Sequence, residues 1–279
     1  MSTYLRPTDL GEALAALADS RLTVLAGGTD YYPARVGKPI NDAILDISAI
    51  AALRDIGEEA DHWRIGAATT WSEVIDATLP PLFDGLKLAA REIGGVQIQN
   101  AGTVAGNLCN ASPAADGVPP LLALDARVEI ADTAGSTTVA LADFILGNRK
   151  TLLRPDQLLT AILIPKSVHP ARSHFAKLGA RKYLVVSIVM VAATLEVEAG
   201  RVRAARVAVG ACSPVAQRLP RAEAVLVGEP CDATLGEFLR AEHLAVLSPI
   251  DDVRASAEYR LDAALTLARR VLNHIGAQA

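Results

Sequence analysis

Two short segments built from small residues constrain this 279-residue chain more than any other feature: Leu25-Ala26-Gly27-Gly28-Thr29-Asp30 and Asn100-Ala101-Gly102-Thr103-Val104-Ala105-Gly106-Asn107. Both are dense in small residues, the first ending in Thr29 and Asp30 and the second carrying the amides of Asn100 and Asn107 and the hydroxyl of Thr103. Where glycine carries no Cβ, main-chain amides can approach a phosphate closely. One such turn is weak evidence. Two of them, with none of the better-known nucleotide fingerprints, point to a long anionic ligand gripped at two places.

Around these segments helix and strand signals alternate. Asp9 and Glu12 have capping-box spacing and open an Ala/Leu helix to about Ala18. Leu22 to Leu25 reads as a buried strand feeding the first segment, and Ala43–Ile47 and Trp63–Ala67 as further strands. Thr70 and Glu73 repeat the capping-box spacing. Pro81 to Ile93 is expected to be helical, weakened at Gly85 and ended by Gly94-Gly95. A helix around Pro120–Leu124 and strands at Arg127–Ile130 and Leu158–Ile164 follow, the last closed by Pro165. Lys166 to Pro170 reads as a linker. Beyond it come three strands, Ser173–Leu178, Ser187–Glu198 and Val202–Gly210, with Ala199-Gly200 as a hairpin turn. After Pro214 the pattern is helical, notably Ala233–Leu247 and Ala255–Ile275. The reading is α+β, with domains at 1–168 (lobes 1–56 and 57–168) and 169–279.

Composition narrows the function. A net charge of -4 and aromatics at 4% argue against a nucleic-acid binder. No apolar run reaches the roughly eighteen residues of a membrane span. The N-terminus lacks the apolar centre of a signal peptide, and Cys109, Cys212 and Cys231 are too few and too scattered for a disulfide framework or an iron–sulfur cluster. The expected location is the cytoplasm.

Each candidate site has a plain alternative. The Gly27-Gly28 turn, before a helix expected to start at Thr29, offers free amides and a helix dipole. It is neither a Rossmann fingerprint nor a P-loop, and a mere tight strand–helix turn competes evenly with the binding reading. In the second segment, read as a loop, Gly102 and Gly106 give backbone access while Thr103, Asn107 and Asn110 can reach phosphate or ribose oxygens. Asp116 suits sugar hydroxyls, although a helix cap is slightly favoured for it alone. The five histidines show no metal-ligand spacing and read as surface or linker residues. Cys109 reads as a small packed side chain, Arg149, Lys150 and Arg154 as a solvated loop, and Lys177 as edge-exposed.

Taken together these residues resemble the FAD-binding medium subunit of the molybdenum hydroxylases, the xanthine dehydrogenase and carbon monoxide dehydrogenase family. The family's Ala-Gly-Gly-Thr-Asp type turn is matched by Ala26 to Asp30, its Asn-x-Gly-Thr-x-Gly-Gly-Asn signature by Asn100 to Asn107, and the Asp-bearing continuation by Asn110 to Asp116. Further similarity lies in Phe144–Thr151, Asp156–Pro165 and Phe175-Ala176-Lys177. The resemblance implies a two-part FAD-binding domain of the vanillyl-alcohol-oxidase-like (PCMH) type, then a smaller domain with a three-stranded antiparallel sheet and helices. By position, Thr23, Val24, Leu25, Ala26, Gly27, Gly28, Thr29 and Asp30 would line the pyrophosphate and nearby ribityl. Gly102, Thr103, Val104, Ala105, Gly106 and Asn107 would hold the cofactor's other side. Asp116 would bind hydroxyls, with Leu159 and Lys177 near the isoalloxazine and its edge.

Two departures stand out: Ala105 replaces the first glycine of the family's Gly-Gly pair, and Gln99 stands where arginine is common. The implied role is an electron-transfer subunit with non-covalent FAD, since the first turn holds no His or Cys. This chain would carry no catalytic side chain and no metal. The implied partners are a small [2Fe–2S] subunit and a large subunit with molybdenum–pterin cytosine dinucleotide, as a dimer of heterotrimers, with an external acceptor such as NAD or oxygen. The alternatives are a stand-alone flavin oxidase of the vanillyl-alcohol-oxidase type and a flavin-free assembly subunit.

Overall fold

The computed structural model describes residues 3–278. Three larger sheets succeed one another along the described residues, and a two-stranded hairpin, Ile145–Gly147 with Lys150–Thr151, accompanies the second. The first is parallel and three-stranded, in the order Tyr4–Leu5, Ile44–Asp46, Thr23–Leu25. The helix Leu10–Asp19 covers it with Ala13, Leu14 and Leu17, which pack with Leu45, Ile47 and Leu53. Asp9 caps that helix by accepting from the amides of Gly11 and Glu12. Because Thr23–Leu25 is an outer strand, one of its edges stays open, and the first glycine turn continues from it.

The second sheet is antiparallel and five-stranded: Ile56–Glu58, His62–Gly66, Leu158–Pro165, Arg127–Asp132, Gly135–Ala140. Its middle strand is the last of the five in sequence, so it is buried on both sides and reads as a nearly continuous apolar run. Gly135–Ala140 is an exposed outer strand of Ser and Thr with no apolar alternation, which explains why only the pairing reveals it. The Thr70 capping box forms in full, opening the helix Trp71–Asp76. The expected helix at Pro81–Ile93 begins with a 3₁₀ turn, Pro81–Phe83, and runs as α-helix over Asp84–Glu92. Gly85 is a contact point rather than a weak point: its amide donates to Ser173 Oγ at 2.8 Å, and Ser173 Oγ donates to the Leu82 carbonyl at 2.7 Å.

The third sheet carries four strands rather than three. Ala171–Leu178, Val189–Glu198 and Arg201–Gly210 form the expected meander, and the two-residue strand Gln217–Arg218 pairs along its far edge. Ala199 (φ 50°) and Gly200 (φ 74°) make the two-residue turn with positive φ at both positions that suits tight hairpins. One face of the sheet, with Phe175, Met190, Ala192 and Ala208, completes the core of the five-stranded region. The other, with Val189, Val191, Leu195 and Val207, packs under the helix Ala257–Gly276. Both faces are covered, so Val189–Leu195 is buried residue after residue.

The helix expected at Ala233–Leu247 is instead two 3₁₀ turns, Leu235–Phe238 and Ala241–Leu244. The C-terminal helix takes over their backbone bonding. Arg269 Nη2 donates to the Leu239 carbonyl at 2.7 Å, and the Gly236 amide donates to Asn273 Oδ1 at 2.6 Å. A Cβ at Gly236 would lie 2.4 Å from the Arg269 carbonyl, so the two segments touch backbone to backbone.

Candidate cofactor-binding site

A cleft of about 940 Å³ opens between the three-stranded sheet and the helices of the five-stranded one. The open edge of Thr23–Leu25 and the whole of Ala26 to Asp30 form one wall. Gly102, Thr103, Ala105, Gly106 and Asn107 form the other, with Asp116 and Leu159 also on the lining. Fifteen of the seventeen residues singled out from sequence thus share one cavity. The exceptions are Val104, fully buried in the core, and Lys177.

The first turn differs from its expected form. No helix starts at Thr29; the next helical element is the 3₁₀ turn Pro33–Arg35. A helix from Thr29 would put Pro33 in its interior, where the missing N–H breaks the bond to the Thr29 carbonyl. The helix dipole is therefore absent here, but the amides remain. Those of Gly27, Gly28, Thr29 and Asp30 donate to no acceptor among the described residues. A run of unpaired donors on a cavity wall fits an anion, because unsatisfied amides away from water are costly. Gly28 sits at φ 69°, and a Cβ there would meet the Tyr32 ring at 2.7 Å rather than project into the cleft.

The second segment is half helix, not loop. Val96–Gln99 is one short helix, and Val104–Asn110 begins another, capped by Thr103 Oγ1 accepting from the Gly106 amide at 3.0 Å. Ala105 sits in that first helical turn, where an alanine methyl costs nothing. Gln99 does not line the cleft; its amide nitrogen donates to the Arg91 carbonyl at 3.1 Å. Asn107 Oδ1 is buried without a partner, an acceptor awaiting a donor. The two segments also touch directly, since a Cβ at Gly27 would fall 1.8 Å from the Ala101 carbonyl. Four free amides, an orphaned acceptor and apolar Leu159 and Ile93 together suit a dinucleotide with a diphosphate centre and a flat apolar end.

Asp116 is not a helix cap; the residue before the helix Val118–Ala123 is Gly117, and it makes no side-chain cap. Lys177 is not edge-exposed either. Its Nζ lies 2.7 Å from Asp116 Oδ2, with both side chains buried, and it faces a smaller cavity of about 300 Å³ beside the cleft. Ser187 Oγ donates to the other Asp116 oxygen. Burial pushes the Asp116 carboxyl up from its usual range, and Lys177 and Ser187 oppose that rise.

Several lining residues escaped the sequence reading. Arg35 stacks on Tyr31, 3.7 Å from the ring centroid, and both donate to Asp42, which holds that carboxyl below its usual range. Leu184, Val185 and Val186 reach the cleft from the segment that joins the first two strands of the C-terminal sheet. Nothing in the local sequence of either group signals a site. Cys109 is exposed on the cleft wall rather than packed, and Arg149 lines the cleft too. His174 is half-buried: its ring stacks on the exposed His274 of the C-terminal helix at 3.8 Å, and burial pushes it down to about 4. Among the described residues, no cluster of His, Cys, Asp and Glu could hold a metal, and no helix is long and apolar enough to cross a membrane.

Comparison with known proteins places the chain in a family. Residues 1–167 match the family described as FAD binding domain in molybdopterin dehydrogenase, and residues 174–275 the CO dehydrogenase flavoprotein C-terminal domain. The xanthine dehydrogenase FAD-binding subunit of Escherichia coli O157:H7 is 32% identical over 286 residues, covering 100% of this chain and 97% of the relative. The carbon monoxide dehydrogenase medium chain of Hydrogenophaga pseudoflava is 28% identical over 280 residues, covering 97% and 95%. Among solved structures, reconstituted CO dehydrogenase from Oligotropha carboxidovorans superposes with a TM-score of 0.90 at 28% identity, covering 100% of this chain and 99% of that one. The chain has the two-domain architecture of such flavoproteins and belongs to the FAD-binding medium subunits of the molybdenum hydroxylases, the xanthine dehydrogenase and carbon monoxide dehydrogenase family.

Proposed function

We propose that this subunit holds FAD without a covalent bond and passes electrons from [2Fe–2S] clusters of a small partner subunit to an external acceptor. A large partner with molybdenum–pterin cytosine dinucleotide hydroxylates the substrate, and the assembly is a cytoplasmic dimer of heterotrimers. FAD supplies the exchange between one-electron and two-electron transfer. Within the chain, residues 1–168 act as a PCMH-type FAD domain with lobes 1–56 and 57–168, and residues 169–279 form the second domain. The amides of Gly27 to Asp30 take the diphosphate, Asn107 Oδ1 accepts from a ribose or ribityl hydroxyl, and Asp116 accepts from the ribityl chain. Leu159 packs on the isoalloxazine, and Lys177 keeps Asp116 ionised beside it.

The observation that carries this reading is the run of four unpaired amides on one wall of the cleft, with the unpartnered Asn107 Oδ1 buried in the other. Titration of the purified full chain with FAD tests it. Saturable binding with a flavin spectrum is expected, together with release of all flavin on acid precipitation. Flavin left on the chain after acid would point to Cys109, the cysteine on the cleft wall, as an attachment point. Absence of binding in the full chain and in the isolated complex would remove the proposal.

A further inference from the structure

Asp116 is 8% exposed, and each of its two oxygens receives one donor, Lys177 Nζ at Oδ2 and Ser187 Oγ at Oδ1. These donors come from opposite ends of one segment. Lys177 is next to last in the strand Ala171–Leu178, and Ser187 stands just before the strand Val189–Glu198. Between them the chain leaves the sheet, lays Leu184, Val185 and Val186 along the cleft and returns. The Ile188 amide donates to the Leu178 carbonyl at 2.8 Å and closes the base of that excursion. One carboxylate from the FAD-binding region thus fastens both stems of a segment from the C-terminal sheet.

An ionised carboxylate has about four acceptor directions, so two remain after Lys177 and Ser187 are served. Lysine alone would leave the group free to turn, because an ammonium is a point charge on a flexible stem. The buried hydroxyl of Ser187, itself 2% exposed, removes that freedom. We propose that Ser187 is a positioning residue for the cofactor: it aims the free acceptor directions of Asp116 into the cleft and couples cofactor occupancy to the order of Leu178–Val186. This rests on the reading that Asp116 meets the ribityl hydroxyls.

The charged neighbours set a pH signature. Asp116 faces Lys177 from the strand and Glu92 from the end of the helix Asp84–Glu92; burial above all, and Glu92 to a smaller degree, raise its carboxyl, while Lys177 and Ser187 lower it. Loss of the Ser187 donor therefore moves protonation of Asp116 to higher pH. A protonated carboxyl then meets the ribityl chain as a neutral group.

The test measures FAD affinity of the full chain from pH 5 to 8 for wild type, Ser187→Ala, Ser187→Thr and Asp116→Asn, with hydrogen exchange over Leu178–Val186. The alanine variant is expected to bind FAD about tenfold more weakly, the scale of one hydrogen bond to a charged group. Its deficit should widen as the pH falls, and threonine should restore affinity to within about twofold by supplying the same hydroxyl. FAD should slow exchange of the segment in wild type and in the threonine variant, but not in the alanine variant. Should alanine prevent folding, Ser187→Cys, with a weaker donor of similar size, carries the same comparison. Wild-type affinity and pH profile in a folded alanine or cysteine variant, or failure of threonine to rescue, would overturn the role of Ser187. If Asp116→Asn also binds FAD as wild type does, the cofactor reading of Asp116 itself falls. If it binds weakly while Ser187→Ala does not, only the positioning role is lost.

Discussion

The two small-residue segments look alike in sequence and do opposite work. The first is an irregular turn whose glycines leave four amides without acceptors. The second spends its small residues on close packing: Thr103 caps a helix, and the Ala101 carbonyl occupies the space where a Gly27 side chain would stand. Glycine thus serves access in one case and contact in the other, and the two uses meet at Gly27. Composition alone could not separate them, because what distinguishes them is where the missing Cβ would have pointed.

The largest effect should come from the contact itself. Gly27→Ala puts a methyl 1.8 Å from a backbone carbonyl, which neither segment can yield without separating. A loss of about 3 kcal/mol of stability is expected, as for severe overpacking, with FAD binding abolished; a melting curve and flavin content check both. A well-folded alanine variant with normal flavin would break the comparison at its centre. Gly28→Val comes next. It forces a β-branched residue to φ 69° against the Tyr32 ring, at about 2 kcal/mol for backbone strain. Its damage comes from reshaping the turn, so FAD affinity should fall further than stability does. Normal flavin content in that variant would show that the turn's conformation is irrelevant to binding.

Thr103→Ala removes only the cap and should cost about 1 kcal/mol. FAD affinity should change less than in Gly28→Val, since the first turn stays intact; equal losses would mean that the second segment binds as directly as the first. The smallest effect lies outside both segments and serves as their control. His174 is held down to about 4, below its ordinary value near 6.5, by burial and by the His274 ring. A group whose folded pKa is depressed contributes stability above its unfolded pKa and loses it as pH falls toward the folded one. Wild type should therefore soften between about pH 6.5 and 4. His174→Gln should flatten that window without altering FAD affinity at neutral pH.

How much of this was legible depends on which interactions were local. Asp9 and Thr70 cap as their spacing implies, and Ala199-Gly200 turns as expected, because a few adjacent residues decide each. The second segment concealed a helix because its cap, Thr103, is followed at the third position by Gly106 rather than by Glu or Gln. Residues 233–247 failed as a helix because Arg269 and Asn273, some thirty positions away, satisfy their backbone. Lys177 illustrates the same limit at the site. A lone lysine among apolar strand residues carries no sign of the carboxylate that meets it from sixty-one positions earlier.

The order of strands in the five-stranded sheet also fixes when the cleft can exist. Its middle strand, Leu158–Pro165, is the last to be synthesised and brings both Leu158 and Leu159 to the cleft lining. Until that stretch has cleared the ribosome, the neighbouring strands have nothing between them to pair with. The cleft therefore takes shape only after the chain has grown past Pro165, and its lining is complete only once Leu184–Val186 have followed.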